Sequence, residues 1–240
     1  MYEPRFYRLW SEDKDLVSFN VVVKETDLYI RAKHDLTAKA RDVVTRQRAF
    51  LEDYIRHHPG FAAALQPFPV VDDAPDIVRE MAAAGEKVGV GPMAAVAGAI
   101  AEKVGRELLN LSPEVLVENG GDIFLKSLKK RRVGIYTGKP PFDGRIALEI
   151  KAGETPLGIC TSSGTIGHSL SFGSADAVIV LSACTALADA AATAIGNIIR
   201  EKADIDSGTA FARGIEGLSG VAIIKDDRMA LWGKISLVKV

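Results

Sequence analysis

Residues Ala175 to Arg200 read ADAVIVLSACTALADAAATAIGNIIR. The opening ADAVIVLSA is short, apolar and rich in β-branched side chains, the composition of a strand. From Thr185 alanine takes over, and the reading becomes a helix from about Thr185 to Arg200 fed directly by that strand. Alanines at 186, 188, 190, 191, 192 and 194 keep this helix thin, so neighbouring backbone can come close. Asp189 and Thr193 are four apart and share one helical face. A carboxylate beside a hydroxyl suits Mg²⁺, a hard cation that also takes phosphate oxygens and water. The plainer alternative is a core helix whose Thr193 bonds back to a carbonyl and whose Asp189 is solvated.

Working outward, short apolar runs separated by Gly or Pro fill the second half: VLVENGGDIFL, RRVGIYTG, RIALEIKAG and PLGICTSSG. A helix near Gly208 to Ile215, the hairpin GVAIIKDDRMALWG and a last strand ISLVKV complete it. The first half opens with two strands in VSFNVVVKETDLYIRA, turning at Lys24 to Asp27. Leu36 to His58 has helical spacing and is stopped by Pro59-Gly60. A short helix around Ile77 to Ala84 follows, then GVGPMAAVAGAIAEKVGREL, where Pro92 suits a first helical turn. This order predicts an α+β chain, a single domain with two sheet-bearing lobes at about 1–112 and 113–240.

Composition sets outer bounds. The chain has 240 residues, 48% of them apolar and 25% charged, enough to bury a proper core. A net charge of −1 offers no field for nucleic acid or an anionic membrane. Two cysteines, a charged N-terminus without an apolar leader segment, and no apolar span of membrane length point to a cytoplasmic, soluble protein.

Three other stretches invite chemistry. Gly89 to Gly98, GVGPMAAVAG, matches G-x-G-x-x-A at a helix start, where free amides attract anions. It lacks the βαβ context of a dinucleotide fingerprint, and glycines that let a small-faced helix pack tightly explain it better. In VLVENGGDIFL, Asn119-Gly120 is a strong hairpin signal, and Gly121 and Asp122 beside it allow close approach of a ligand. In ICTSSGTIGHSLSFG, Thr161, Ser162, Ser163, Gly164 and Thr165 could line a phosphate with hydroxyl and amide donors. His168 in the same run has neutral neighbours, and Cys160 ends an apolar strand, where a small buried core residue is the usual outcome.

VENGGDIF, the Thr-Ser-Ser-Gly run and LADAAATA, in this order, resemble the ApbE superfamily of flavin transferases, once called thiamine biosynthesis lipoproteins. ETDL, ENGGDI, SSGTIGHSLSFG and ADAAATA are similar to a cytoplasmic branch of ApbE-like proteins in anaerobic bacteria and archaea. The resemblance implies a T-fold-like mixed α/β arrangement. It implies that Asn119, Gly120, Gly121 and Asp122 and the run Thr161 to Thr165 line an FAD site, with Asp189 and Thr193 holding Mg²⁺. The implied reaction cleaves FAD and passes FMN to a threonine or serine hydroxyl of an acceptor protein. The transferases carry a His-x-x-Asp-Pro element; here His168-Ser-Leu-Ser-Phe-Gly lacks the Asp and Pro, so His168 replaces the expected base only approximately. A homodimer is also expected.

Two other functions compete. Cys160, as a thiolate near His168, would carry a persulfide, in line with the link of related anaerobe proteins to sulfide assimilation toward homocysteine. A non-catalytic binding or scaffold protein would use neither Asp189 nor the thiol.

Overall fold

The computed structural model describes residues 15–164 and 172–239. His168 and Thr165 lie outside the described residues. β1 (Val17–Val23) and β2 (Thr26–Ala32) form the first antiparallel hairpin, turning at Lys24-Glu25. α1 (Thr37–His57) buries Ala40, Val43, Val44, Leu51 and Tyr54, the three-and-four spacing seen in the sequence. The short α2 (Gly60–Ala63) leads to α3 (Asp76–Val88), which starts one residue before the expected helix and runs one turn beyond it. A 3₁₀ turn at Pro92–Ala95 feeds α4 (Val96–Leu108).

Strands dominate the rest. β3 (Val115–Asn119) and β4 (Asp122–Lys126) form a hairpin, followed by β5 (Arg131–Gly134), β6 (Ile146–Ile150), β7 (Leu157–Ser162) and β8 (Ala177–Ser182). Next come α5 (Thr185–Ile198), α6 (Ile205–Arg213), β9 (Leu218–Lys225), β10 (Arg228–Gly233) and β11 (Leu237–Lys239). α6 begins three residues before the expected helix.

Among the described residues the strands build two sheets. The larger has eight, in the order β1-β2-β3-β4-β7-β8-β9-β10, all antiparallel. The smaller has the order β11-β6-β5. β2 pairs directly with β3, so the large sheet runs across the expected lobe boundary at 112/113. The alternation of strand side chains separates two cores. On one face Leu28, Ile30, Val117, Phe124, Cys160, Val178 and Val180 pack against the helices. On the other, Leu125, Ile159, Ile179, Leu181 and Ile224 meet Leu148 and Ile150 of the small sheet and Ile135 just after β5. The result is a mixed α/β fold of helices, large sheet and small sheet, with α5 lodged between the large sheet and the helices α3 and α4.

A buried salt-bridge group ties the layers at one end. The Glu114 carboxylate accepts from Ser127 Oγ (2.6 Å) and Leu128 N (3.0 Å) and pairs with Arg131 (2.9 Å) and Lys33 (2.6 Å). Burial by itself would raise its pKa, but these four donors together hold it down to about 2. No single helix among the described residues is long and apolar enough to cross a membrane.

Candidate functional site

The β3–β4 hairpin closes through Gly120 (φ 68°) and Gly121 (φ 108°), with Asn119 paired to Asp122. Two left-handed positions in a two-residue loop call for glycine, which is why Asn-Gly-Gly-Asp folds this way here. A side chain on Gly121 would meet nothing within 4 Å, so the turn tip faces open space. Asn119 Nδ2 donates to the Ala97 carbonyl (3.1 Å), pinning the hairpin to the first turn of α4. Asp122 shares that face of the sheet and is buried; its Oδ1 accepts from Thr161 N on β7 (3.3 Å).

α5 contributes from above the sheet. Its buried alanines give it the slender profile expected, and Asp189 is buried among them. Asp189 Oδ2 accepts from Gly98 N at the start of α4 (2.8 Å). The anion that GVGPMAAVAG attracts at this helix start is therefore a carboxylate of the chain itself. Gly89, for its part, closes α3 in a left-handed conformation. Gly98 has to be glycine: a Cβ there would lie 2.6 Å from the Thr185 carbonyl oxygen and 2.8 Å from Asp189 Cβ.

The Cys160 thiol lies between these acids. Its Sγ is 3.4 Å from the Thr185 carbonyl oxygen, it is fully buried, and it is hydrogen-bonded to Asp122. Burial raises the Asp122 carboxyl to about 7 against the opposing bonds from Cys160 and Thr161, and Glu118 adds to the rise. Burial, and then the charge of Asp122, push Asp189 well above the usual carboxylate range despite the amides of Gly98 and Ala97. The Cys160 thiol is pushed up by burial and by both carboxylates. That setting keeps the thiol neutral, the opposite of what a nucleophilic or persulfide-carrying cysteine requires. Cys160 is the small buried residue of the plainer reading.

The Ser-Gly run occupies the other end of α5. β7 runs beside the helix, with Gly158 against Thr185 and Ser162 against Gly196. Gly164 N donates to the Ala175 carbonyl (2.9 Å), and Ser174 N to the Ile199 carbonyl (2.7 Å). Phe172 N donates to Asn197 Oδ1 (2.9 Å). The two ends of the loop are thus tied to each other and to the end of α5. Ser163 is half-buried and Gly164 exposed. Thr193 is half-buried and one turn beyond Asp189. Asp189 and Gly196 are seven residues apart, roughly 10 Å along the helix axis. The predicted residues therefore form two groups along one helix: the acids Asp122 and Asp189 at one end, Ser162 to Gly164 at the other, Thr193 between.

Glu102 on α4 completes the acid end. Its Oε2 accepts from Thr185 N, the first amide of α5 (2.6 Å), and Arg106 Nε donates to its Oε1 (2.7 Å). The sequence reading covers the helix-start amides up to Gly98 but not Glu102. The available signal was an acid inside the small-residue stretch AVAGAIAE, four residues after Gly98. Among the described residues no three His, Cys, Asp or Glu side chains gather as metal ligands. Two inward carboxylates suit Mg²⁺, which is commonly held by one or two protein carboxylates plus substrate phosphates rather than by an all-protein cage.

Known proteins resemble this chain in sequence and in fold. A family model described as "AbpE bacteria" matches residues 8–214. The UPF0280 protein MJ1526 of Methanocaldococcus jannaschii is 41% identical over 227 residues, covering 91% of this chain and 92% of the relative. A UPF0280 protein of Methanocella arvoryzae is 42% identical over 214 residues, covering 89% and 87%. Among solved structures, a mutant of the flavin transferase ApbE from Vibrio cholerae superposes with a TM-score of 0.59 at 16% identity, over 90% of this chain and 96% of that one. The apo flavinyl transferase ApbE of Pseudomonas stutzeri gives 0.55 at 15%, over 90% and 94%. At such identities the structural likeness speaks for the fold alone, and it agrees with the mixed α/β, two-sheet expectation. By the match over most of its length and by its relatives, this chain belongs to the ApbE-like family of UPF0280 proteins.

Proposed function

We propose that the protein is a Mg²⁺-dependent flavin transferase that binds FAD and passes FMN to a serine or threonine hydroxyl of an acceptor protein. The observation that carries this reading is the buried pair Asp122 and Asp189. The charges that raise them are carboxylates, Glu118 on Asp122 and Asp122 on Asp189. Two desolvated acids near enough to act on one another are costly unless a cation or protons offset them.

Asp189 and Thr193 would hold the metal, with Asp122 as the second inward acid. Bound Mg²⁺ would offset the negative charge on the pyrophosphate oxygens. The open Gly120-Gly121 turn would let the ligand approach backbone closely, and Ser162, Ser163 and Gly164 would orient its phosphate from the far end of α5. A bond forms between the acceptor hydroxyl oxygen and the FMN phosphorus as the pyrophosphate P–O bond breaks and AMP leaves. The hydroxyl proton passes to a base, for which His168 is the candidate. The family membership and the shared fold support the reading.

The test is AMP release from FAD by the intact protein, with Mg²⁺ or with EDTA, in the presence of hydroxyl-bearing acceptor peptides. Mg²⁺-dependent AMP release that Asp189→Ala abolishes supports the reading. FAD left intact under every condition, with no flavin bound, argues for the scaffold function instead.

A further inference from the structure

Resting on the functional reading above, we propose that Glu102 is a positioning residue, which holds the two acid-bearing elements in register so that Asp122 and Asp189 face a common metal. Three observations lead there. Glu102 is buried on α4, yet the first amide of α5 donates to it, Thr185 N to Oε2 at 2.6 Å. One turn along α5, Asp189 returns the contact by accepting from Gly98 N of α4 at 2.8 Å. Each helix thus has its N-terminal amides met by an acid of the other, an arrangement favoured by both helix dipoles.

The second observation ties Glu102 to the strand that carries Asp122. Arg106 donates to Glu102 Oε1 (2.7 Å), and its guanidinium lies 5.7 Å from the ring centre of Phe124. Phe124 is on β4, two residues after Asp122 and on the same face, and is fully buried. Glu102 is therefore bonded on one side to the helix of Asp189 and on the other, through Arg106, to the strand of Asp122.

The third is that little slack exists around these bonds. A Cβ at Gly158 would sit 2.6 Å from Thr185 Cα, and one at Gly98 would sit 2.6 Å from the Thr185 carbonyl oxygen. The first turn of α5 is squeezed between β7 and α4. Removing the acceptor of the Thr185 amide leaves a buried donor unmet, and the turn must move to find another partner. A movement there displaces Asp189, the next residue on that face of the helix. Partners that orient ligands are worth roughly 10–100-fold in metal affinity.

The experiment measures Mn²⁺, as a spin-active substitute for Mg²⁺, binding to the full chain by the EPR signal of the free ion. Glu102→Ala is expected to weaken binding about 10-fold or more. Glu102→Gln keeps an acceptor oxygen for the Thr185 amide and is expected to stay within about 3-fold of the wild type, a rescue that mere loss of charge would not allow. Arg106→Ala, which keeps that acceptor but frees the carboxylate, serves where Glu102→Ala fails to fold, with an expected loss of about 3-fold or more. Melting without metal reports the structural cost of each change separately. Wild-type Mn²⁺ affinity in folded Glu102→Ala, or in Arg106→Ala where the first does not fold, overturns the positioning role. Absence of Mn²⁺ binding in the wild-type chain overturns the functional reading itself, and this proposal with it.

Discussion

Asp189 and Gly98, 91 residues apart in sequence, are joined by a 2.8 Å hydrogen bond from the Gly98 amide to Asp189 Oδ2. The contact brings α5 against the start of α4 and holds the Asp189 carboxylate inside the protein, where Asp122 already lies. The proposed metal site depends on that one close approach.

Gly98→Ala tests the approach. The added methyl would press on the Thr185 carbonyl and on Asp189 Cβ, both within 3 Å. Overpacking of this kind is expected to cost about 1–3 kcal/mol, read as a lower midpoint in urea with an unchanged m-value. A variant as stable as the wild type would show that α4 and α5 can part freely.

Asp122→Asn should stabilise the metal-free protein at neutral pH. Burial, chiefly, raises the folded Asp122 pKa to about 7 from 3.8, so the folded state holds its proton more tightly than the unfolded one. Its influence on stability is then most favourable below about pH 4 and is lost as pH rises towards 7. Replacing the acid by a neutral amide removes that loss, a gain on the order of 1–3 kcal/mol at pH 8 in EDTA. The same variant should lose its thermal response to Mg²⁺. A destabilised Asp122→Asn with an intact Mg²⁺ response would contradict both statements.

Glu114 behaves in the opposite sense. Its folded pKa, lowered to about 2, gives stability that is complete above the unfolded value of 4.5 and lost as pH falls towards 2. Glu114→Ala leaves buried Arg131 without its buried partner and should cost about 3–5 kcal/mol at pH 7. The cost should shrink as wild type and variant are compared at successively lower pH between 4.5 and 2. A cost independent of pH would assign it to packing instead.

The cysteines should separate under alkylation. Cys184 is exposed and Cys160 is buried beside two carboxylates. Iodoacetamide at pH 8 should label Cys184 in the native protein, slowly because burial raises its thiol pKa, and reach Cys160 only on unfolding, as peptide mass mapping would show. Rapid native labelling of Cys160 would restore the sulfur-carrier function to contention.

Much of this architecture was legible in the sequence, and for identifiable reasons. The hairpin at Asn119 to Asp122 follows from local turn chemistry, and α1 from the spacing of Val43, Val44, Leu51 and Tyr54. The far end of α3 is masked because Gly85, directly after Ala84, reads as a stop, yet the helix runs through it to Val88 and closes at Gly89. The start of α6 is masked because no Gly or Pro closely precedes Gly208. The convergence of Asp122, Cys160 and Asp189 depends on strand order, with β7 inserted beside β4 and α5 laid along it, and no local pattern encodes that order. Glu102 and the Glu114–Arg131 pair are invisible to local patterns, because a buried acid and an exposed one look alike in sequence.

The most direct test is equilibrium binding of FAD to the intact protein, followed by thermal unfolding with Mg²⁺ and then with EDTA. Ligand at a hundred times its Kd should add about 2.7 kcal/mol of stability, only with Mg²⁺ present and not in Asp189→Ala. Unfolding that is indifferent to FAD and Mg²⁺, with identical curves for wild type and Asp189→Ala plus or minus ligand, would contradict a flavin site built on these two acids.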